Sequence, residues 1–568
     1  MPKSLLRIAF LSLVWTALVA ESIGADPPDR IFVNGSVVTM AGPGHTIEAV
    51  AVREGRISDI GTAEKIRALA GPKTEIIDLA GKTLLPGFYA AHDHFPQVGR
   101  VALFDVDLNP PPVGPVRNMS DLQAALKKKA DATAPGKWVV GRGYDDTLLA
   151  EQRHPTRHDL DQVSREHPIW IVHTSGHLGV ANSKALDLAK ITRDTPQPDG
   201  GVIRKDVTGE PTGVFEERLT LVTRLVANLT SAQRIETIRY CDTMYLAKGV
   251  TTTFVAGGMQ AIIPDLIQAY ETDGLHLRVI GLLAGNNAPA PVPIETRDKL
   301  SSVPEFIRPI GVKLGQDGSL QGYTGYLTAP YYKQPEGKEG YSGYPIRSRE
   351  KMVEMVTAWH RAGYQVAVHG NGDASIDDIL HAFRIANQLF PRTGTRHRIE
   401  HCQTPREDQL ATMRELGVTP SFFVGHVYYW GDRHRDIFLG PERASRISPL
   451  KSALDHGLKF TIHNDTPVTP VDPLLLVWCS VNRVTRDGKV LGPEQRIGVY
   501  EALAAVTRDA AWQSFEEDTK GTIEPGKLAD LVILAENPLT ADPMRIKDIP
   551  IIETIVGGRT VYRRPPGR

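Results

Sequence analysis

Apolar and polar residues alternate in RIFVNGSVVTM, IEAVAVREGRISDIG and TEIIDLAGKTLLPGF, with Asn-Gly, Glu-Gly and Ala-Gly pairs between the runs. This is the pattern of short antiparallel strands joined by tight turns. The far end repeats it in KLADLVILAENP and IIETIVGGRTVYRR, around a Gly-Gly turn. Residues 26–84 and 521–568 are therefore expected to build one small β-sandwich domain from both chain ends. Between them, continuous apolar runs alternate with helical patterns, which argues for parallel βα units. Eight runs are candidate barrel strands: LLPGFYAAHDH, GVTTTFVAG, HLRVIGLLAG, PIGVKLGQDG, YQVAVHGNG, RHRIEHCQ, TPSFFVGH and LKFTIHND. The predicted fold is α/β, a (β/α)8 TIM-like barrel over residues 85–520, although periodicity alone also admits a doubly wound sheet. The interval from His94 to Gly249 is too long for one crossover helix, so an insertion of about 102–230 is expected after the first barrel strand. Long inserts at a barrel mouth often serve as lids or specificity elements.

Residues 1–25 differ from the rest. Lys3 and Arg7 precede the apolar run IAFLSLVWTALVA, and Gly24-Ala25 offers a small-residue cleavage site, the layout of a secretory signal peptide. The run is too short to span a bilayer as a helix, but an uncleaved anchor is the alternative. A periplasmic or secreted chain is expected, with no membrane association once the signal is removed. Cys241, Cys402 and Cys479 allow at most one disulfide, so the fold does not rest on a disulfide framework. Lys and Arg total 65 against 66 Asp and Glu. That balance gives no electrostatic reason to expect nucleic acid as a partner, and points to a small-molecule substrate.

Candidate chemistry gathers at the ends of the barrel runs. In a strand, His92 and His94 face the same side while Asp93 points away, a spacing that can chelate one metal. His369, His401, Asp465 and Lys313 each lie at or near the end of a separate candidate strand, and such ends converge at the mouth of a barrel. His463 shares a face with Asp465 and is open to three roles: a further ligand, a proton shuttle or a substrate contact. His426, followed by Tyr428, Tyr429 and Trp430, is placed at the end of the seventh strand as a substrate-binding candidate or a structural histidine. No Gly-x-Ser-x-Gly elbow is present, and Cys402 alternates away from the metal face, so a serine or cysteine nucleophile has little support.

These residues resemble the metal-dependent amidohydrolase superfamily, in particular the amidohydrolase family 3 group that includes YtcJ-like proteins and N-substituted formamide deformylases. The resemblance runs from about Arg30 to Tyr562, on PGFYAAHDH, GVTTT, GVKLGQDGSL, VAVHGNGD, RIEHCQ, NDTPV and GTIEPGKLADLVIL. Within the insertion it is carried by PTRHDLD, SGHLGVANSKAL and GEPTGVFEE. It implies a divalent metal, zinc by preference, with His92 and His94 on one ion and His369 and His401 on another. Lys313 would be carbamylated and bridge two ions, or remain a plain lysine beside one. Asp465 would bind metal and carry a proton from water to the departing nitrogen of a non-peptide C–N bond, as in an N-acyl or N-formyl amine. Hydrolysis of a cyclic amide, carbamate or dipeptide, deamination, and a catalytically silent binding or regulatory protein are the alternatives. Tyr144, Asp145, His173, His177 and Asn182 of the insertion resemble positions near the ligand, and a homodimer fits the resemblance.

Overall fold

The computed structural model describes residues 26–286, 290–335 and 337–565. The segment read as a signal peptide lies outside them. Among the described residues no helix is long and apolar enough to cross a membrane.

Eight parallel strands form one sheet in sequence order: β1 (Phe88–Tyr89), β2 (Val250–Val255), β3 (Arg278–Ala284), β4 (Ile307–Gly315), β5 (Gln365–Gly370), β6 (Arg398–His401), β7 (Thr419–Phe422) and β8 (Thr461–Ile462). Helices between them cover the outside, so both faces of the sheet are buried and the strands read as apolar runs. The sheet curls until its end strands meet. They are joined just beyond β1 and β8, where His94 N donates to Thr466 O (2.8 Å) and Thr466 N donates to Asp93 Oδ1 (2.8 Å). Asp93 also accepts from Tyr245 Oη at 2.9 Å. Burial raises the Asp93 carboxyl to about 8. The fold is thus a TIM-like barrel with an added sheet domain.

The run LLPGFYAAHDH does not form a single strand. Thr83–Pro86 pairs with Ser36–Val38 and Leu531–Leu534 in a six-stranded sheet outside the barrel, and only Phe88–Tyr89 joins the barrel. The chain crosses over at Gly87, where a Cβ would sit 2.2 Å from Thr251 Oγ1. A four-stranded sheet of Arg30–Val33, Ala49–Arg53, Arg56–Gly61 and Glu75–Asp78 shares a core with that six-stranded sheet through Phe32, Val50, Leu84, Leu531 and Ile555. Strands from the two chain ends thus pack together.

Between β1 and β2 the chain builds a lobe around another six-stranded sheet, running from Val106–Asp107 to Pro211–Glu216, with its own apolar clusters. Asn182 is structural there. Its Oδ1 accepts from Ala185 N (3.0 Å), capping the helix Ser183–Ala189, and from Ile169 N (2.9 Å) of a neighbouring strand. Asp145 ties the lobe to the barrel by accepting from Trp430 Nε1 (3.0 Å) and Arg433 Nη1 (2.8 Å).

Candidate metal centre

His92 and His94 lie just beyond β1, outside any regular strand, and their side chains still reach one point. Asp465 Oδ1 is 3.5 Å from His92 Nε2 and 3.3 Å from His94 Nε2. From the other side, Asp465 Oδ2 lies 3.8 Å from His401 Nδ1 at the end of β6. Two donor groups, His92/His94/Asp465 and His401/His463/Asp465, each have their donor atoms within 4.8 Å of one another. His463 sits between His92 and His401, with ring centroids 4.7 and 5.2 Å away. Lys313 Nζ, from β4, is 3.5 Å from His92 Nε2. Residues from β1, β4, β6 and β8 thus converge because the ends of parallel strands share one rim.

His369 is next to this group but aimed differently. Its ring is 4.4 Å from that of His401, while its Nε2 lies 3.1 Å from both Gly318 O and Asn371 Nδ2. His401 and Asp465 hold positive φ values of 67° and 56°. Such conformations cost a non-glycine residue about 1–3 kcal/mol and collect at functional sites.

The electrostatics suit a cation. Burial, then the Lys313 charge, draws His92 down to about 4. Burial likewise holds His369, His401 and His463 well below the usual histidine range. Their rings are therefore neutral and able to donate a lone pair. Burial alone would raise Asp465, but His94, then His92 and His463, hold it far below the usual carboxylate range. Burial pulls the Lys313 ammonium down to about 8.

The donor set also contains buried atoms lacking the partners that burial demands. Among the described residues, neither ring nitrogen of His463 has a hydrogen-bond partner and Asp465 Oδ1 has no aligned donor. An unsatisfied buried polar group costs about 1–3 kcal/mol. A divalent cation between neutral imidazoles and a carboxylate would take one His463 nitrogen and Asp465 Oδ1, so the residues fit a metal ion.

Sequence reading missed Glu400. It is fully buried, with Oε2 at 2.5 Å from His92 Nδ1 and Oε1 at 2.6 Å from Arg398 Nε. A carboxylate behind a metal-binding histidine fixes the ring and its tautomer. Burial would raise Glu400, but the Arg398 guanidinium, then His92, holds it well below the usual range. The available signal was Arg398 and Glu400, two residues apart in a short buried strand and therefore on one face.

A cavity of about 810 Å³ opens beside this centre, lined by His94, Lys313, His369, His401 and Asp465 from the barrel and by His173 and His177 from the lobe. That volume suits a small organic ligand. His177 lies over His369 with ring centroids 4.8 Å apart, and its Nδ1 is 2.8 Å from Glu217 Oε2. His173 Nε2 is 3.1 Å from Asp146 Oδ1. Two substrate-binding candidates lie elsewhere. Tyr144 is buried in the lobe, its Oη 3.2 Å from His154 Nδ1, and does not line the cavity. His426 follows β7 in the first turn of the helix Gly425–Arg433, its ring tilted against that of Phe423 with centroids 4.1 Å apart, and does not line the cavity.

A family model described as the amidohydrolase family matches residues 75–562. The N-substituted formamide deformylase of Arthrobacter pascens is 27% identical over 94% of this chain and 98% of its own. The protein YtcJ of Bacillus subtilis (strain 168) is 27% identical over 94% of this chain and 99% of its own. A crystal structure of an uncharacterized metal-dependent hydrolase from Pyrococcus horikoshii OT3 superposes with a TM-score of 0.69 at 27% identity, covering 90% of this chain and 99% of the other. The chain belongs to the amidohydrolase family, hydrolases that act on carbon–nitrogen bonds.

Proposed function

We propose that this chain is an exported, metal-dependent hydrolase of a non-peptide amide such as an N-acyl or N-formyl amine. One observation carries the reading: His92, His94, His401, His463, Lys313 and Asp465 meet at the barrel mouth beside a cavity of ligand size. His92, His94 and Asp465 would hold one divalent ion, zinc by preference. His369 and His401 would hold the second. His463 is the alternative ligand to His369, because among the described residues its ring nitrogens have no other partner. Lys313, with its ammonium drawn down to about 8, has a share of neutral amine at neutral pH able to add carbon dioxide and become an anionic bridging ligand.

When bound, the cation supplies Lewis acidity, lowering the pKa of water to about 7 and polarising a carbonyl oxygen. The protein supplies the rest. Asp465, kept ionised between three imidazoles, accepts the proton of the attacking water on a carboxylate oxygen and returns it to the departing nitrogen, which would otherwise leave as a poor anion. Glu400 holds the His92 ring in place through Nδ1. The lobe lines one side of the cavity with His173 and His177.

Lys3, Arg7 and the apolar run after them support export, with the mature chain beginning near Ala25. The test is to load purified protein with zinc in bicarbonate buffer and screen N-formyl and N-acyl amines for amine release. Turnover that disappears on chelation and in Asp465→Asn supports the reading. Turnover unaffected by both refutes it.

A further inference from the structure

A side chain, rather than a strand ladder, joins the two ends of the barrel sheet. β1 and β8 have two residues each, and among the described residues they do not pair with one another. Both strands end three residues short of the candidate ligands, β1 before His92 and β8 before Asp465. No regular ladder therefore sets where His92, His94 and Asp465 stand relative to each other. Asp465 also holds a φ of 56°, a conformation that persists in a non-glycine residue only where its surroundings enforce it.

Asp93 supplies the link. Its carboxylate is fully buried and takes no part in either donor group. Oδ1 accepts from Thr466 N at 2.8 Å and Oδ2 from Tyr245 Oη at 2.9 Å. His94 N returns a bond to Thr466 O at 2.8 Å, and Asp93 O accepts from Ala256 N at 2.8 Å, which ties the segment to the end of β2 as well. Tyr245 belongs to the helix Ser231–Leu246, and its ring meets that of Phe95 edge-on at 5.7 Å. The residue that Asp93 grips is the neighbour of Asp465, and the residues on either side of Asp93 are His92 and His94. One grip thus brings Asp465 Oδ1 to both rings, 3.5 Å from His92 Nε2 and 3.3 Å from His94 Nε2. Nitrogen and oxygen ligands of a tetrahedral zinc ion stand about 3.3–3.4 Å apart, given bonds of about 2.0–2.1 Å.

We propose that Asp93 is a positioning residue: through the Thr466 amide and the Tyr245 hydroxyl it holds Asp465 against His92 and His94 at the separation one cation requires. The consequence for metal binding rests on the metal-centre reading of these three ligands, whereas the grip is a property of the metal-free chain. Side-chain chemistry separates two substitutions. An asparagine keeps an oxygen for the Thr466 amide and presents its NH2 to the Tyr245 hydroxyl, which can accept as well as donate. An alanine leaves both buried groups without a partner and frees the turn that carries Asp465.

Competitive zinc titration, the visible absorption of the cobalt-loaded protein and amide hydrogen exchange of the metal-free protein test this in wild type, Asp93→Asn, Asp93→Ala and Tyr245→Phe. Asp93→Ala should bind zinc about 10- to 100-fold more weakly, shift the cobalt absorption, and exchange faster at the His94 and Thr466 amides. Tyr245→Phe should lose about 2- to 10-fold in zinc affinity, the worth of one hydrogen bond. Asp93→Asn should match wild type in all three measurements. A residue that only closes the barrel would lower the thermal midpoint when replaced by alanine and leave the zinc affinity and cobalt absorption of the folded protein unchanged; that result overturns the proposal. Asp93→Asn as weak for zinc as Asp93→Ala overturns it too. If Asp93→Ala does not fold, wild-type zinc affinity in Tyr245→Phe overturns it. The two readings fail separately. If wild type binds no zinc but its Thr466 amide is slow to exchange and is freed by Asp93→Ala, the metal reading falls and the grip on Asp465 stands. If zinc binds equally tightly in wild type, Asp93→Ala and Tyr245→Phe, the positioning role falls and the metal centre stands.

Discussion

Replacing Glu400 with Gln tests whether this buried carboxylate organises the site. One Glu400 oxygen faces Arg398 Nε at 2.6 Å and the other faces His92 Nδ1 at 2.5 Å, with all three side chains inaccessible to water. Arg398 Nη2 also donates to the His92-facing oxygen at 3.1 Å, so a glutamine, with one oxygen and one NH2 in those places, sets a donor against Arg398 in either orientation and against His92 in one. Arg398 would retain Ala91 O at 3.0 Å, Ser421 Oγ at 3.4 Å and the Phe254 ring at 4.7 Å, but no full counter-charge. Removing one partner of a buried ion pair costs about 3–5 kcal/mol. Loss of the support behind a metal-binding histidine typically weakens metal affinity about 10- to 100-fold. Thermal unfolding and competitive zinc titration of Glu400→Gln should show both losses. Adding Arg398→Met should recover part of the stability, because the stranded charge is removed, without restoring zinc affinity. Glu400→Gln with wild-type unfolding and zinc binding would refute this account of the His92 support.

Other consequences are expected. Asp465→Asn should keep part of its metal by elemental analysis yet lose about 10²- to 10⁴-fold in turnover; unchanged turnover removes Asp465 from proton transfer. Lys313→Ala should lose one metal and its activity, and recover activity with short carboxylic acids if a carbamate bridges; full activity and two ions without them would contradict the bridge. Zinc at 100 times its dissociation constant should stabilise the fold by about 2.7 kcal/mol, read as a rise in thermal midpoint over chelated protein. His276 is raised above its ordinary value by its hydrogen bond to Asp242, against burial and with help from Asp273. That stabilisation is therefore present in full below the unfolded histidine value of about 6.5 and lost as pH rises through the folded value. His276→Gln should accordingly cost more stability at pH 5.5 than at pH 8.5 in urea unfolding, and an equal cost at both would contradict the assignment.

The barrel was legible because its strands are apolar on both faces and several end in or near His or Asp, which forces the polar groups to one rim. LLPGFYAAHDH misled because a run buried in two successive sheets has no break in hydrophobicity. Only Pro86-Gly87 marks the crossing, and the reason for Gly87 is a contact with Thr251, distant in sequence. His426 was misplaced by a few residues, since an aromatic stretch after a strand fits a strand or a helix equally well. Glu400 escaped notice because a charge inside a barrel is explained by its partners, and His92 is more than 300 residues away. Tyr144 and Asn182 show how a polar residue in a lobe near a site serves as readily to build the lobe as to touch a ligand.

The central claim, that the histidines, Asp465 and Lys313 form a metal centre, is tested most directly by elemental analysis of the mature protein purified in bicarbonate buffer, beside a His92→Ala, His401→Ala double variant. Two divalent ions per chain in the wild type, with loss in the variant, is the expected result. No bound divalent ion in the wild type after reconstitution, or the same content in the variant, would contradict the account.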